Sequence, residues 1–218
     1  MKQWLLKRIV WLIVMVLGIS FLIYALLDPV KNDAASIIAA KPVIYLYPEE
    51  TTQVEVLLET DGELVATWPA YGDGWRVTAQ PDGTLTDGNG NEYSYLFWEA
   101  ESDATYDFSQ GFCVAGEDTG EFLRETLAAM GLTPREYNEF IVYWLPLMRN
   151  NPWNLISFQG EAYTENAVLT VSPAPDSLLR VFMAWRPLTE GVEIEPQAIE
   201  PFQRNGFTVV EWGGAQVK

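Results

Sequence analysis

Nineteen consecutive residues, Ile9 to Leu27, carry no charge. As a helix this run would span about 28 Å, close to the hydrocarbon thickness of a bilayer. Lys2, Lys7 and Arg8 precede it, and the first charge after it is Asp28. The positive-inside rule keeps residues 1–8 in the cytoplasm as a basic tip and sends everything after residue 27 outside. We read 9–27 as an uncleaved, single-pass signal anchor inserted in the lipid bilayer. The rival is a cleaved signal peptide. That would have an apolar stretch of about 7–15 residues and a small-x-small cleavage site. Here Asp33 and Ile38 stand two positions before Ala35 and Ala40. A lipoprotein would need a cysteine just after the run, and the one cysteine is Cys113. Phe140–Leu145, the longest later apolar run, is far too short to cross a membrane.

Charge sorts with this boundary. Residues 1–40 hold four basic and two acidic side chains, a net of +2, while 41–218 hold 9 basic and 28 acidic ones, a net of -19. So acidic a domain is not expected to bind nucleic acid or anionic lipid. With no histidine there is no Ser-His-Asp triad and no imidazole metal site, and one cysteine allows no intrachain disulfide. A composition that is 49% hydrophobic and 13% aromatic still supplies ample material for a core.

Residues 28–40 read as a tether, and 41–218 as an extracytoplasmic domain of period-two segments. Val43–Tyr47 is a continuous apolar run that suits a buried strand. Gln53–Glu59 and Trp75–Gln80 alternate. Asp61-Gly62 predicts a hairpin turn into Leu64–Trp68, and Asp82-Gly83 and Asp87–Asn91 predict further turns. Tyr93–Trp98 reads as one aromatic strand. Asp118…Glu121 and Thr133…Glu136 have capping-box spacing and predict two short helices. The β-branched and aromatic run 140–145, ended by Pro146, predicts a strand, with a longer helix as the alternative. Strands are expected again at 155–159, 167–172, 178–186, 192–195 and 207–212. The expected fold is α+β: predominantly antiparallel β-sheet with two short helices in the middle, preceded by one N-terminal transmembrane helix. The domain could be one unit, or a β module over 41–110 followed by an α+β module over 111–218.

The segment Lys41-Pro-Val-Ile-Tyr-Leu-Tyr-Pro48 resembles the opening of an uncharacterised family of secreted or membrane-anchored microbial proteins. Pro81–Leu85, Tyr95–Glu99, Phe122–Leu145, Asn154–Gln159 and Gly206–Gly213 resemble it as well. The resemblance implies an extracytoplasmic α+β domain. It assigns no activity and no functional residue.

Four features could carry chemistry. Glu99, Glu101, Glu117 and Asp118 could supply the two carboxylates of a glycoside hydrolase, which needs no histidine. Glu99, Glu101, Asp103 and Asp107 crowd one loop and could hold calcium. The spacing Asp87-Gly-Asn-Gly-Asn91 resembles half an EF-hand loop, but Glu92 replaces its glycine and Trp98 its final glutamate, so a tight turn is the better reading. Tyr71, Trp75 and Trp153, with Trp68 beside them, could form a stacking platform for sugars. Cys113 reads as a buried structural thiol, and Arg180 and Arg186 as structural ion pairs. The expectation is a membrane-tethered extracytoplasmic binding or interaction domain of the cell envelope. Its ligand would be an envelope glycan or a protein, with no cofactor. A carboxylate-based hydrolase acting on glycans is the alternative.

Overall fold

The computed structural model describes residues 37–102 and 104–217, all within one compact unit, Ser36–Lys218. The expected anchor at 9–27 and most of the tether lie outside the described residues. Among the described residues no helix is long and apolar enough to cross a membrane.

Among the described residues, thirteen strands form two sheets. In chain order they are β1 (Ile37–Tyr47), β2 (Thr52–Thr60), β3 (Glu63–Trp68), β4 (Trp75–Ala79), β5 (Leu85–Thr86), β6 (Glu92–Tyr93) and β7 (Leu96–Ser102). There follow β8 (Gln110–Ala115), β9 (Trp153–Gln159), β10 (Ala167–Ser172), β11 (Ser177–Leu188), β12 (Glu195–Pro196) and β13 (Thr208–Gln216). The large sheet has the order β12-β8-β9-β11-β13-β1-β7-β3 and the small one β10-β2-β4-β5-β6. Pairing is antiparallel except for β11 with β13 and β12 with β8. Three helices are described, α1 (Thr119–Ala129), α2 (Pro134–Met148) and the single turn α3 (Glu161–Thr164).

The layers follow from which face each residue presents. On β1, Ile44 and Leu46 point to a core shared with the small sheet, which supplies Val54, Val56, Leu58, Trp75 and Val77. Val43 and Tyr45 point the other way, to a core closed by Leu123, Leu127, Phe140, Trp144 and Met148 of α1 and α2. The middle strands are therefore buried on both sides, which is why 43–47 reads as an unbroken apolar run. The outer strands β2 and β4 bury one face and alternate.

Several expectations are corrected. Residues 140–145 are the middle of α2, a helix of 15 residues, not a strand and not short. Phe140, Trp144 and Met148 recur every fourth residue and all point into the core, and that spacing outweighs local β propensity. Pro146 is tolerated because it lies exposed near the helix end. Tyr93 and Trp98 do not share a strand: β6 belongs to the small sheet and β7 to the large one. Asp61-Gly62 likewise joins strands of different sheets, β2 and β3, and makes no hairpin. Asp82-Gly83 and Asp87–Asn91 do connect paired strands. Strand β8 is absent from the expected elements, and 192–195 shrinks to the two-residue β12. β1 begins at Ile37, inside the stretch read as tether. A split at residue 110 is not seen, because β1 lies between β7 and β13 and β2 between β4 and β10.

The candidate cleft

The width of the large sheet makes the cleft. Eight strands span about 34 Å at ~4.8 Å each, whereas two helices lying side by side cover about 20 Å. α1 and α2 pack over β9, β11, β13 and β1. The helix-side face of β7 and β3 is left as a shelf, with α2 as a wall.

Register places side chains on the shelf. Trp68 of β3 lies opposite Phe97 of β7, so the two rings stand side by side. Tyr95 precedes β7 and Glu99 follows on the same face, since side chains alternate along a strand. Tyr143 projects from α2. Lys41 enters from β1, where the register shifts between Ala40 and Val43 against β13 and between Ala39 and Val43 against β7. These six residues line a cleft of about 390 Å³. Trp68 is 63% exposed, an unusual state for so large an apolar ring. Tyr93 supports it edge-on, with ring centroids 5.9 Å apart.

Lys41 has a φ of 54°, the one positive value at a described non-glycine residue. Its backbone N–H donates to Glu99 Oε1 at 3.2 Å. Its ammonium lies over the Tyr143 ring at 5.2 Å and the Trp212 ring at 6.0 Å from the centroids. Burial, and secondly the Glu99 carboxylate, raise the Tyr143 pKa above its ordinary value. Tyr95 is raised by burial and then by Glu139. Both phenols therefore remain hydrogen-bond donors at neutral pH. The cleft thus offers aromatic faces, hydroxyl donors, one carboxylate and one ammonium.

Of the residues singled out in the sequence, Glu99 and Trp68 lie here. Glu101 is exposed two residues further along the same strand face, beside Glu99 and not across from it. Glu117 and Asp118 are exposed where β8 leads into α1. Four strands separate β8 from β7, which is five spacings or about 24 Å. The four carboxylates therefore do not converge. Asp107 closes its own turn, accepting from the Ser109 N–H at 2.8 Å and the Ser109 hydroxyl at 2.7 Å. Asp103 lies outside the described residues. Among the described residues no three carboxylate, histidine or cysteine groups are placed to hold a metal. Asp87 spends its carboxylate on Asn89, Asn91 and Tyr93 of its own turn, as the tight-turn reading expects.

The three expected aromatics do not make a platform. Trp75 is buried in the core between the sheets, and its Nε1 donates to Pro69 O at 2.9 Å. A ring with no free face cannot stack on a sugar. Tyr71 packs edge-on against Trp75, and its hydroxyl both donates to and accepts from the Leu58 backbone. Trp153 begins β9, in the other sheet, where Gly191 lies against its ring. Cys113 is half-buried, and its Sγ accepts the Val192 N–H at 3.4 Å. Arg180 pairs with buried Glu211, whereas Arg186 stacks on Phe108 at 5.1 Å.

The missed residues were Lys41, Tyr95, Phe97 and Tyr143. The signal for the strand members was their alternation: Tyr95, Phe97 and Glu99 fall on one face of β7. Nothing local to α2 or β1 pointed to Tyr143 or Lys41.

No family model matches the chain, and no solved structure does. One curated relative is described as an uncharacterized protein in the bglA 3′ region of Butyrivibrio fibrisolvens. It is 44% identical over 74 residues, which is 33% of this chain and 76% of the relative. With that much of the relative matched at that identity, the chain belongs to the same family as this Butyrivibrio fibrisolvens protein.

Proposed function

We propose that the protein is a membrane-tethered extracytoplasmic binding domain whose aromatic cleft takes a glycan of the cell envelope. The observation that carries this is Trp68, 63% exposed and flanked by Phe97, with Glu99 and Lys41 in the same cleft. A sugar ring has an apolar face of C–H groups that suits an indole, and hydroxyls on its rim that suit charged groups. Glu99 accepts from such hydroxyls, and Lys41, Tyr95 and Tyr143 donate to them. The uncharged run 9–27 and the basic residues before it support the tether. Nine residues, 28–36, separate Leu27 from Ile37, a reach of at most about 32 Å for the tether.

A hydrolase acting on glycans would need a second carboxylate facing Glu99 across the bound sugar. Glu101 stands on the wrong side for that, so binding without chemistry is the better reading.

The test is calorimetry and thermal shift of residues 36–218 against a panel of envelope oligosaccharides. Wild type should bind at least one of them. Trp68→Ala should weaken that binding by on the order of ten-fold or more, because one aromatic stacking contact is being removed. Its melting temperature should hardly move, since the ring is largely exposed. Failure of every oligosaccharide to bind would sink the glycan reading. Protection of the domain from protease added outside intact cells would sink the topology.

A further inference from the structure

We infer that the ligand of this cleft is an acidic glycan, whose pyranose ring sits on Trp68 while its carboxylate is held by the Lys41 ammonium. This deepens the glycan reading and rests on it.

Three independent observations single out Lys41. The first is backbone geometry. Lys41 takes a left-handed φ of 54°, a conformation that L residues rarely adopt, at an irregularity in β1 shared with both neighbouring strands. Such irregularities re-aim side chains and gather at functional sites. The neighbourhood is built around this one. A Cβ on Gly213 would meet Pro42 Cα at 2.9 Å, so the facing strand leaves room for the irregular segment by having no side chain there.

The second is the state of the charge. Lys41 is the only lysine among the described residues, and its ammonium rests on two aromatic rings with no salt bridge to a carboxylate of the described residues. Glu99, in the same cleft, has Oε1 turned to the Lys41 backbone N–H, leaving its other oxygen for a ligand hydroxyl.

The third is contrast with the rest of the domain. Arg76 lines a polar groove on the outer face of the small sheet, but Glu55 holds it at 2.7 Å and Asp73 at 3.1 Å. Arg180 and Arg204 are committed to the buried carboxylates Glu211 and Glu136, while Arg186, stacked on Phe108, and Arg149, exposed past the end of α2, do not line the cleft. A domain with a net charge of -19 repels anions over most of its surface. A cation left unpaired in a cleft offers an anion a local exception. It also selects, because a neutral sugar gains less from it than a carboxylate does.

Two kinds of sugar supply the same chemistry: a uronic acid, with the carboxylate on the ring, and a muramic acid, with it on an ether arm. The experiment is calorimetry on the full-length chain in detergent, with two matched pairs of probes. One pair is a galacturonic acid trimer and the neutral galactose trimer. The other is an N-acetylmuramic acid-containing disaccharide and the N-acetylglucosamine disaccharide. In at least one pair the acidic member should bind tighter by on the order of ten-fold, the usual gain from a charge-assisted bond. The pair with the larger ratio identifies where the carboxylate sits. Lys41→Met and Lys41→Gly should bring that ratio close to one while neutral binding persists, and Lys41→Arg should keep it. Lys41→Gly suits the positive φ, so it separates loss of the ammonium from loss of fold. Equal affinity within both pairs, or a ratio that survives Lys41→Met, overturns the inference and leaves the glycan cleft standing. No binding by any of the four sugars overturns both.

Discussion

Arg180→Ala is the substitution whose cost the structure defines most closely. The guanidinium lies between the sheets with its side chain only 9% exposed. Its Nε donates to Glu211 Oε2 at 2.6 Å, and its Nη1 donates to the Ala167 carbonyl at 2.7 Å. Glu211, fully buried, also accepts from Trp98 Nε1 at 3.1 Å. The cation lies over the Tyr163 ring at 4.8 Å. One ion pair thereby ties β7, β11 and β13 of the large sheet to β10 of the small one. Burial opposes the Arg180 charge most strongly, but Glu211 and Tyr163 beside it together outweigh that and hold its pKa above the ordinary value. Truncation leaves a buried carboxylate facing only neutral groups, the Trp98 indole and the Tyr163 phenol. Breaking a pair of this kind costs about 3–5 kcal/mol. In a domain of this size that lowers the melting temperature by roughly 6–20 °C. Urea unfolding of residues 36–218, followed by tryptophan fluorescence, measures the loss. Glu211→Gln should cost a similar amount, by stranding the cation. Arg180→Met combined with Glu211→Gln strands no charge and should recover at least about 2 kcal/mol of the two single losses added together. A loss below about 1 kcal/mol for Arg180→Ala, or strict additivity in the double variant, would refute the reasoning.

Three further outcomes are expected. A Cβ at Gly214 would lie 2.5 Å from the Met183 carbonyl oxygen and 2.8 Å from Trp144 Cζ2, neither free to move, so Gly214→Ala should cost about 1–3 kcal/mol in the same assay. Pro146→Ala restores a backbone N–H to the last turn of α2 and should stabilise by about 1 kcal/mol or more; a lower urea midpoint would mean the exposed ring has a packing role. Asp87 is held at a pKa of about 2, first by the Asn91 side chain, then by the Asn91 N–H, with Tyr93 and the Asn89 N–H adding to it. Its folded pKa lies below the unfolded value of about 3.9, so its contribution is complete above pH ~4 and is lost as pH falls towards 2. Asp87→Asn should lose less stability than wild type across that window, and parallel pH profiles would rule this out.

Much of the local structure was legible because its causes are local. Trp75, Val77 and Ala79 are buried where alternation places them, and Val54, Val56 and Leu58 likewise. Thr133 and Glu136 form the expected capping box, with the Thr133 N–H on the Glu136 carboxylate at 2.7 Å. The equivalent spacing at Asp118 and Glu121 marks the start of α1, although the Asp118 side chain makes no cap bond. The failures share one origin. Residues 140–145 suit a strand over six residues and a helix over fifteen, and the decision rests with the core that α2 covers. Trp68 and Trp75 are both tryptophans beside the same turn, yet one is exposed and the other buried. Nothing within that turn distinguishes them, because the difference is which sheet each strand joins.

The alternating strands, the helix starts, most of the turns and the division of charge between residues 1–40 and the domain follow from the order of the amino acids alone. Each of these is set by neighbours within a few positions, through backbone preference, side-chain alternation or simple counting. The cleft was decided only by tertiary structure. Lys41, Trp68, Glu99 and Tyr143 come from three strands and a helix, and they meet because β1, β7 and β3 pair in one register while α2 stops short of the sheet edge. Such pairings depend on contacts between residues far apart in the chain, where a one-residue slip would turn every side chain to the opposite face.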